Sequence, residues 1–351
     1  MSVLFYTQAY NAELTLARAM DSVLAQTDPG LAYYICDNGS TDGTRSIILD
    51  YASRDNRIKV FLRDTNDRSY KPLYDVLSSV FISEKDRYEY FVDLDADDEY
   101  AIDFLEKMLP FANVNNLDVA SCCSHFIDRD TGKNVGVFTL SEDIIVADNE
   151  FGTKFPEYFK YRALWGKLIS IDVLMRVNFS NVEKLCEDNK LIWNQDVALV
   201  FAIIIQAKRI GVLSKLLHTY YISQNSASFS FLDERFESDR GAIKVYRNFL
   251  TKKVGKIEDK NEQFIAGVHI RTFRSAVRSV FSTDWTIEKK LSTILEAIHD
   301  KETQAMIAIA PLIDREKLIE TMGECMAQDV FSHESTEMMV YKGIICELTI
   351  Q

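Results

Sequence analysis

The sequence predicts an α/β fold in which a mostly parallel, doubly wound sheet is followed by a helical C-terminal extension. Short apolar runs alternate with helical patterns through the first half of the chain, which is typical of parallel sheets. Turn-forming polar residues follow the strand-type runs. Strand-type runs become rare after about residue 226. We therefore expect an α/β domain over residues 1–225 and a helical domain over residues 226–351.

Composition narrows the class of protein. The 351 residues are 47% hydrophobic and 26% charged, which is enough apolar material for a sizeable core. The net charge of −13 argues against broad nucleic-acid binding, because a phosphate backbone needs a basic surface. None of the six cysteines forms a C-x-x-C pair, and the first residues lack the basic start of a signal peptide. We expect a cytoplasmic protein with reduced thiols.

Apolar runs rich in aromatic and β-branched residues predict strands, and apolar residues at helical spacing between them predict helices. Strands are expected at residues 3–6, 33–36, 58–62, 90–94, 117–122, 210–213 and 218–222, with a hairpin over residues 126–137. Helices are expected at residues 13–25, 44–52, 73–82, 103–111 and 197–206. Residues 141–160 have no clear pattern.

The C-terminal domain is predicted to be a set of helices over residues 236–250, 262–281, 286–297 and 315–327. Arg271, Arg274 and Arg278 recur at helical spacing on one face of the second helix. A solvated basic face is one interpretation, and docking to an anionic membrane or a lipid-diphosphate acceptor is the other. The same helices could join two copies of the chain in a homo-oligomer.

The most informative stretch is the acidic end of the strand at residues 90–94. Asp93, Asp95, Asp97 and Asp98 lie within six residues, and carboxylates this close repel one another unless a cation joins them. An isolated D-x-D of this kind is usually a solvated turn. Here, however, polar loops at residues 7–11, 37–42 and 95–98 each follow a predicted parallel strand. Such loops meet in one crevice beyond the carboxyl ends of the strands.

Four motifs carry a resemblance to a known family: Tyr10-Asn11-Ala12-Glu13, residues 22–27, the string Asp37-Asn38-Gly39-Ser40-Thr41-Asp42-Gly43-Thr44, and Asp95-Ala96-Asp97-Asp98. In this order and spacing they closely resemble glycosyltransferase family 2. These inverting transferases have the GT-A fold, which is Rossmann-like, and use nucleotide-activated sugars. The resemblance covers roughly residues 1–225.

The resemblance implies roles for individual residues. Those expected at the nucleotide are Thr7, Tyr10, Asn11, Glu13, Asp37, Asn38, Lys71, Asp95 and Ala96. Tyr10 would stack on the base or simply pack, and Asn38 stands where a second Asp is common. Arg68 is an alternative to Lys71 for the diphosphate, since the family's usual string is absent from this loop.

Mn²⁺ or Mg²⁺ is implied as the cofactor, held by Asp95 and Asp97. Some members also use a histidine near position 223, and the nearest one here is His218, which otherwise would be a structural residue.

For the transfer itself, the resemblance implies Asp196 as general base, with Gln195 where a Glu is common. The alternative for Asp196 is a helix N-cap. Trp165 and Lys167 fall in a segment similar to the family's W-x-K-L string on the acceptor side, although a core Trp and a solvated Lys are the plainer interpretations. Residues 220–226 resemble the family's closing segment, with Tyr221 where Arg is common.

We therefore expect transfer of a sugar from a UDP-sugar to a hydroxyl of a saccharide or lipid-linked saccharide acceptor, in surface polysaccharide synthesis. One alternative is a nucleotidyltransferase, which would need Gly and Lys in the loop at residues 7–11, where neither occurs. The other alternative is a non-catalytic glycan-binding or scaffold protein on a transferase fold.

Overall fold

The computed structural model describes residues 2–28, 30–192, 194–223 and 234–328. The chain divides into two compact units. The first comprises Met1–Lys184 and Gln195–Gln224, and the second comprises Leu185–Asn194 and Asn225–Gln351. Residues 224–226 of the predicted closing segment lie outside the described residues.

The first unit contains a sheet of ten strands in the described part of the chain. The strands are β1 (Val3–Ala9), β2 (Leu31–Asn38), β3 (Ile58–Arg63), β4 (Tyr90–Asp93), β5 (Glu99–Tyr100), β6 (Val119–Asp128), β7 (Asn134–Phe138), β8 (Ile144–Ala147), β9 (Lys167–Ser170) and β10 (Arg209–Ile222). All eight residues of β2 are buried, as expected of a strand covered on both faces.

The strand order is β3-β2-β1-β4-β9-β6-β10-β5, with β7 paired to β6 and β8 paired to β10. The pairs β1–β2, β2–β3, β1–β4 and β6–β10 are parallel. Strand β9 is antiparallel to both β4 and β6, so those two strands run in the same direction. The carboxyl ends of β1, β2, β4, β6 and β10 therefore share one edge, which confirms the predicted α/β sheet.

Thirteen helices are found among the described residues. They are α1 (Leu16–Leu24), α2 (Thr44–Arg54), α3 (Lys71–Ser83), α4 (Phe104–Val114), α5 (Phe155–Tyr158), α6 (Ile171–Leu174), α7 (Phe179–Asp188), α8 (Gln195–Gln206), α9 (Arg235–Val254), α10 (Asp259–Phe281), α11 (Ile287–His299), α12 (Lys301–Ile309) and α13 (Leu312–Gln328). None of them combines the length and apolar character that a bilayer crossing requires.

Two strands predicted separately, at residues 210–213 and 218–222, form the single strand β10. Its pairing with β6 shifts register between Leu213 and Leu216 and again between Leu216 and His218. These irregularities accommodate the polar Ser214 and Lys215, which interrupt the apolar pattern in the sequence. Strand β8 arises from the segment that had no clear pattern, and it forms through pairing with β10.

In the second unit, the basic face of α10 is engaged by α13. Arg271 Nη1 lies 2.9 Å from Asp314 Oδ2, and Arg278 Nη2 lies 3.2 Å from Glu324 Oε2. Two of the three arginines considered for membrane docking therefore have carboxylate partners inside this unit. Helix α12 was not predicted; it begins after Asp300, whose side chain accepts hydrogen bonds from the N–H groups of Glu302 and Thr303.

His269 is a buried histidine at the centre of α10. It is 2% exposed, and neither ring nitrogen has a hydrogen-bond partner among the described residues. Burial lowers the pKa of His269 to about 4, with nearby Arg240 contributing in the same direction. The folded state therefore resists protonation of this ring, whereas the unfolded chain takes up a proton near pH 6.5.

We predict that His269→Phe makes the protein less acid-labile. Between about pH 6.5 and pH 4 the unfolded state binds a proton at His269 that the folded state does not, so stability falls as the pH falls. Phe does not titrate, so the variant should avoid a loss in the free energy of unfolding on the order of 3 kcal/mol between pH 6.5 and pH 4. Urea unfolding of wild type and variant at pH 7 and pH 4.5 measures this loss. His299→Gln, at an exposed histidine, is the control. An equal loss on acidification in wild type and His269→Phe would contradict the prediction.

Candidate active site

The loops that follow β1 and β2 hold each other in place. The N–H of Asn11 donates to Ser40 Oγ (3.1 Å), and the N–H of Thr41 donates to Asn11 Oδ1 (2.9 Å). Glu13 Oε2 accepts a hydrogen bond from the N–H of Gly43 (2.7 Å). Asn11 has a φ of 49°, in the left-handed region that asparagine tolerates. Two residues expected at the nucleotide, Asn11 and Glu13, are thus part of one double loop.

Thr7 and Tyr10 flank this double loop and differ in exposure. Thr7 is fully buried; its Oγ1 donates to the carbonyl of Leu94 (2.8 Å) and accepts from the hydroxyl of Tyr33 (2.9 Å). Thr7 therefore ties β1 to the residue that follows β4. Tyr10 keeps 45% of its surface exposed, so its ring is accessible to a ligand.

Asp37, at the end of β2, is fully buried and forms an ion pair with an arginine. Its Oδ2 lies 2.5 Å from Nε of Arg45, and its Oδ1 accepts a hydrogen bond from the N–H of Ser40 (3.1 Å). Arg45, on α2, was not singled out in the sequence. A ligand that contacts Asp37 would share this carboxylate with Arg45.

Asn38 has a structural reason to be an amide where the family often has a second Asp. Its Nδ2 donates to Asn66 Oδ1 (2.9 Å) and to the carbonyl of Asp67 (2.7 Å), and its Oδ1 accepts from the N–H of Asp67 (3.2 Å). A carboxylate could not donate these two hydrogen bonds. Asn38 is buried and fixes the loop that follows β3.

The acidic stretch ends β4 and then turns sharply, as predicted. The N–H of Asp98 donates to the carbonyl of Asp95 (3.1 Å), which closes the turn. The carbonyl of Ala96 accepts from Thr15 Oγ1 (3.0 Å). The carboxylate of Asp97 forms an ion pair with Arg129, which follows β6. The turn is thus held by α1 on one side and by the β6–β7 hairpin on the other.

Arg18 of α1 supplies a second cation to this turn. Its Nη2 donates to the carbonyl of Asp97 (2.6 Å), and its guanidinium lies 3.6 Å from the ring centroid of Tyr221. The N–H of Tyr221 donates to Asp98 Oδ1 (2.9 Å), and its hydroxyl donates to Glu99 Oε1 (2.8 Å). Position 221 lacks the family's Arg, yet a guanidinium packs on the ring there. Sequence spacing does not reveal this pairing, because 203 residues separate the partners.

Like charges crowd the end of β4. Burial raises the pKa of Asp95 well above its ordinary value, and the charges of Asp98, Asp97 and Asp196 raise it further. The pKa of Asp93 is also raised by burial, then by Asp95 and Asp196. Asp196 is distant in sequence, yet its charge acts on both Asp93 and Asp95, so the fold brings it to the acidic turn. No cation pairs with Asp95 among the described residues.

Tyr70, and not Lys71, faces this carboxylate group. The pKa of the Tyr70 hydroxyl is raised well above its ordinary value by burial and then by the charges of Asp196, Asp95 and Asp93. Lys71 is exposed instead, with its Nζ 3.2 Å from Oδ1 of Asp75 on its own helix. The position of Tyr70 at the start of α3 was the only sequence signal for its placement.

His218 lies against Asp98. The imidazole is buried, with Nε2 3.4 Å from Asp98 Oδ2 and Nδ1 3.2 Å from Ser124 Oγ. Trp165 stacks on it at a centroid distance of 4.5 Å. Burial lowers the pKa of His218 to about 3, so the ring is neutral. Within the described ranges, no group of three or more His, Cys, Asp or Glu side chains is arranged to hold a metal ion.

Asp196 and Lys167 are neighbours at the same edge. Because α8 begins at Gln195, Asp196 lies inside its first turn and not at the preceding cap position. Burial raises the pKa of Asp196, while the N–H of Val197 and the charges of Arg162 and Lys167 lower it in part. Lys167 is 2% exposed, and burial lowers its pKa to about 7. It is therefore neither solvated nor remote from the carboxylates.

Comparison with known families identifies the class of this fold and site. Residues 6–168 match the family model described as Glycosyl transferase family 2. This stretch contains the double loop, the acidic turn, Trp165 and Lys167. The resemblance to glycosyltransferase family 2 that the motifs predict is confirmed over this stretch, which is just under half of the chain.

Two curated relatives share part of the chain. An uncharacterized glycosyltransferase of Haemophilus influenzae is 33% identical over 135 residues, which are 38% of this chain and 51% of the relative. The putative teichuronic acid biosynthesis glycosyltransferase TuaG of Bacillus subtilis is 35% identical over 105 residues, 30% of this chain and 39% of the relative. The matches thus span about half of these relatives or less.

Among solved structures, S. aureus TarS in complex with UDP superposes with a TM-score of 0.61 at 18% identity, covering 98% of this chain and 90% of that chain. The same protein in complex with UDP-GlcNAc gives a TM-score of 0.60 over the same shares. This likeness confirms the predicted fold class, a GT-A domain with a C-terminal helical region.

We predict that Gly39→Ala strongly destabilises the double loop. Gly39 has a φ of +77°, and a Cβ there would lie 2.6 Å from the carbonyl carbon of Thr65. Gly132 has a φ of +67° but nothing within 4 Å, so Gly132→Ala carries only the conformational strain, about 1 kcal/mol. Chemical unfolding gives the loss in the free energy of unfolding for each variant relative to wild type. Equal losses in Gly39→Ala and Gly132→Ala would contradict the steric explanation.

We predict that Lys167→Met flattens the pH dependence of stability in the alkaline range. Between about pH 7 and pH 10.5 the unfolded chain keeps a proton on Lys167 that the folded state has lost, so stability rises with pH by up to about 1.4 kcal/mol per unit. The variant should lack this rise when unfolding is compared at pH 7 and pH 9. Lys160→Met, at an exposed lysine, should keep the wild-type slope. If the stability of Lys167→Met rises with pH as steeply as that of wild type, the lowered pKa of Lys167 is refuted.

Proposed function

We propose that this protein is an inverting glycosyltransferase that moves a sugar from a UDP-sugar to a hydroxyl of a saccharide or lipid-linked saccharide. The observation that carries the proposal is the meeting of the acidic turn and Asp196 at the carboxyl edge of the sheet. The match of residues 6–168 to the glycosyltransferase family 2 model supports it. The proposed transfer domain is residues 1–225.

The donor nucleotide would occupy the double loop. Asn11 and Glu13 hold the two parts of this loop together by hydrogen bonds, and Tyr10 offers an accessible ring. Asp37 and Asn38 are buried where the second part of the loop begins. The choice of UDP is supported by the TarS structures, which are complexes with UDP and UDP-GlcNAc. A place in surface polysaccharide synthesis is supported by the teichuronic acid function in the name of the B. subtilis relative.

The acidic turn suits Mn²⁺ or Mg²⁺. Asp95 is crowded by three other carboxylates and has no cationic partner among the described residues, so a cation would relieve its repulsion. Hard divalent ions are commonly held by one or two carboxylates plus substrate phosphates, and Asp95 and Asp97 provide such a pair. When bound, the metal would neutralise charge on the diphosphate leaving group. Asp97 would then share its charge with Arg129.

Asp196 is the proposed general base. Its carboxylate would take the proton of the acceptor hydroxyl as that oxygen bonds to the anomeric carbon. The bond from this carbon to the diphosphate oxygen breaks at the same time, and its electron pair leaves with UDP, so a single displacement inverts the configuration. Burial raises the pKa of Asp196 and with it the basicity of the carboxylate, while the N–H of Val197 and the charges of Arg162 and Lys167 lower this pKa in part. Gln195 lies beside Asp196 in the first turn of α8 and faces the acceptor in this proposal.

A cytoplasmic location is part of the proposal. Cys36, Cys122 and Cys123 are buried as free thiols, which suits a reducing compartment.

Asp196→Asn should abolish transfer while leaving donor binding intact. Loss of a general base typically costs about 10²- to 10⁴-fold in rate, and the amide keeps the size of the side chain. The assay is UDP release from a panel of UDP-sugars with Mn²⁺, with acceptor saccharides present, alongside a UDP-binding measurement. Asp172→Asn, at an exposed carboxylate on α6, is the control and should behave as wild type.

Two results would overturn the proposal. One is that wild-type protein releases UDP from none of the donors, with or without acceptor. The other is that Asp196→Asn retains the wild-type rate of transfer.

A further inference from the structure

A row of aromatic rings leaves the candidate active site along the sheet. Trp165 and Tyr220 have ring centroids 5.8 Å apart, Tyr220 and Phe126 are 5.6 Å apart, and Phe126 and Phe138 are 4.8 Å apart. We call these four residues the aromatic row. Its members come from the segment before β9 and from strands β10, β6 and β7.

Strand pairing places the row on one face of the sheet. Tyr220 pairs directly with Phe126, and His218 pairs with Ser124 two residues earlier. Phe138 on β7 pairs with Ser124, so its side chain emerges on that same face. Trp165 stacks on His218 and completes the row at its inner end. The arrangement therefore follows from the register of three strands.

The inner end of the row adjoins the carboxylate group. Trp165 is two residues before Lys167, which neighbours Asp196, and it covers His218, which lies 3.4 Å from Asp98. The outer end is Phe138, on strand β7, which pairs with β6. The row therefore leads from the proposed site of transfer to the rim of the sheet.

The row lies on the opposite side of β4 from the donor loops. In the sheet order, β2 and β1 precede β4, whereas β9, β6 and β10 follow it. The double loop belongs to β1 and β2, and the aromatic row belongs to the strands beyond β4. A nucleotide in the double loop would leave the row free, so the row faces the acceptor.

The rings are only partly covered. Trp165, Tyr220 and Phe126 are half-buried, and Phe138 is 42% exposed. Gly136 pairs with Phe126 across the hairpin and places no side chain beside it; an added Cβ would approach only Phe126 Cβ, at 4.0 Å. Exposed apolar groups on a peripheral strand favour unwanted association, and an apolar patch of this kind is typical of a ligand-binding surface.

We propose that the aromatic row binds the sugar residues of the acceptor chain that lie beyond the residue receiving the transferred sugar. The C–H faces of sugar rings are apolar and pack flat on aromatic rings, while their hydroxyls stay in water. The row is one ring wide and continuous with the transfer site, which fits an extended saccharide. The hairpin turn carries Arg129 and Lys133 as well as Asp128 and Asp130, so it offers no net positive charge to an anionic membrane. This inference rests on the proposed function.

Phe138→Ala tests the row at its most exposed member. The neighbouring Val137 is similarly exposed, at 44%, and faces the other side of β7, so Val137→Ala is a matched control. A glycan array of bacterial surface polysaccharides, probed without donor, identifies the saccharide that wild type retains. Affinities are then measured for its fragments of increasing length. Phe138→Trp serves as the conservative variant.

The row predicts that wild type binds longer fragments more tightly. Phe138→Ala should lose about three- to tenfold in affinity for the longest fragments and nothing for the shortest. Phe138→Trp and Val137→Ala should match wild type. With the full protein and donor, Phe138→Ala should raise KM for the long acceptor and leave kcat unchanged.

Equal affinities of Phe138→Ala and wild type at every fragment length would overturn the inference. So would the absence of any retained glycan in a protein that releases UDP from its donor. In both cases the proposed transfer activity would stand. If the length-dependent binding is found but no donor is turned over, the row is supported and the proposed activity fails.

Discussion

Mutual repulsion among carboxylates at the end of β4 is the constraint around which the first unit is built. Burial and like charge raise the pKa values of Asp93, Asp95 and Asp98, so the folded protein holds these groups in an unfavourable setting. Such an arrangement persists only where the surrounding structure fixes it, and it is common at functional sites.

The cations that balance this charge come from the periphery and leave the centre free. Arg18 and Arg129 both hold Asp97, one through its carbonyl and one through its carboxylate. Lys167 is placed near Asp196 but is itself depressed in pKa, so it contributes only a partial charge near neutral pH. The carboxylate of Asp95 has no cationic partner among the described residues. Cations therefore lie beside Asp97 and Asp196, while none of the described cations lies beside Asp95. This arrangement suits a ligand that binds together with a cation.

The sequence was sufficient where a property is local. Strand-type runs followed by polar loops predicted the carboxyl edge of the sheet, and the D-x-D turn was placed correctly at the end of β4. Properties that depend on pairing across the chain were not predictable. The merging of two runs into β10 requires the register of β6, and the Arg18–Tyr221 contact joins elements 203 residues apart. The orientation of Tyr70 depends on packing alone.

Calorimetric titration of UDP with and without Mn²⁺ tests most directly whether the acidic turn anchors a metal and a diphosphate. The arrangement predicts at least about tenfold tighter binding with Mn²⁺, a difference of about 1.4 kcal/mol, because the ion would join Asp95 to the phosphates. Asp95→Asn should lose this gain, while Asp172→Asn keeps it. Equal UDP affinity with and without the metal, or an undiminished gain in Asp95→Asn, would contradict the central role of the turn.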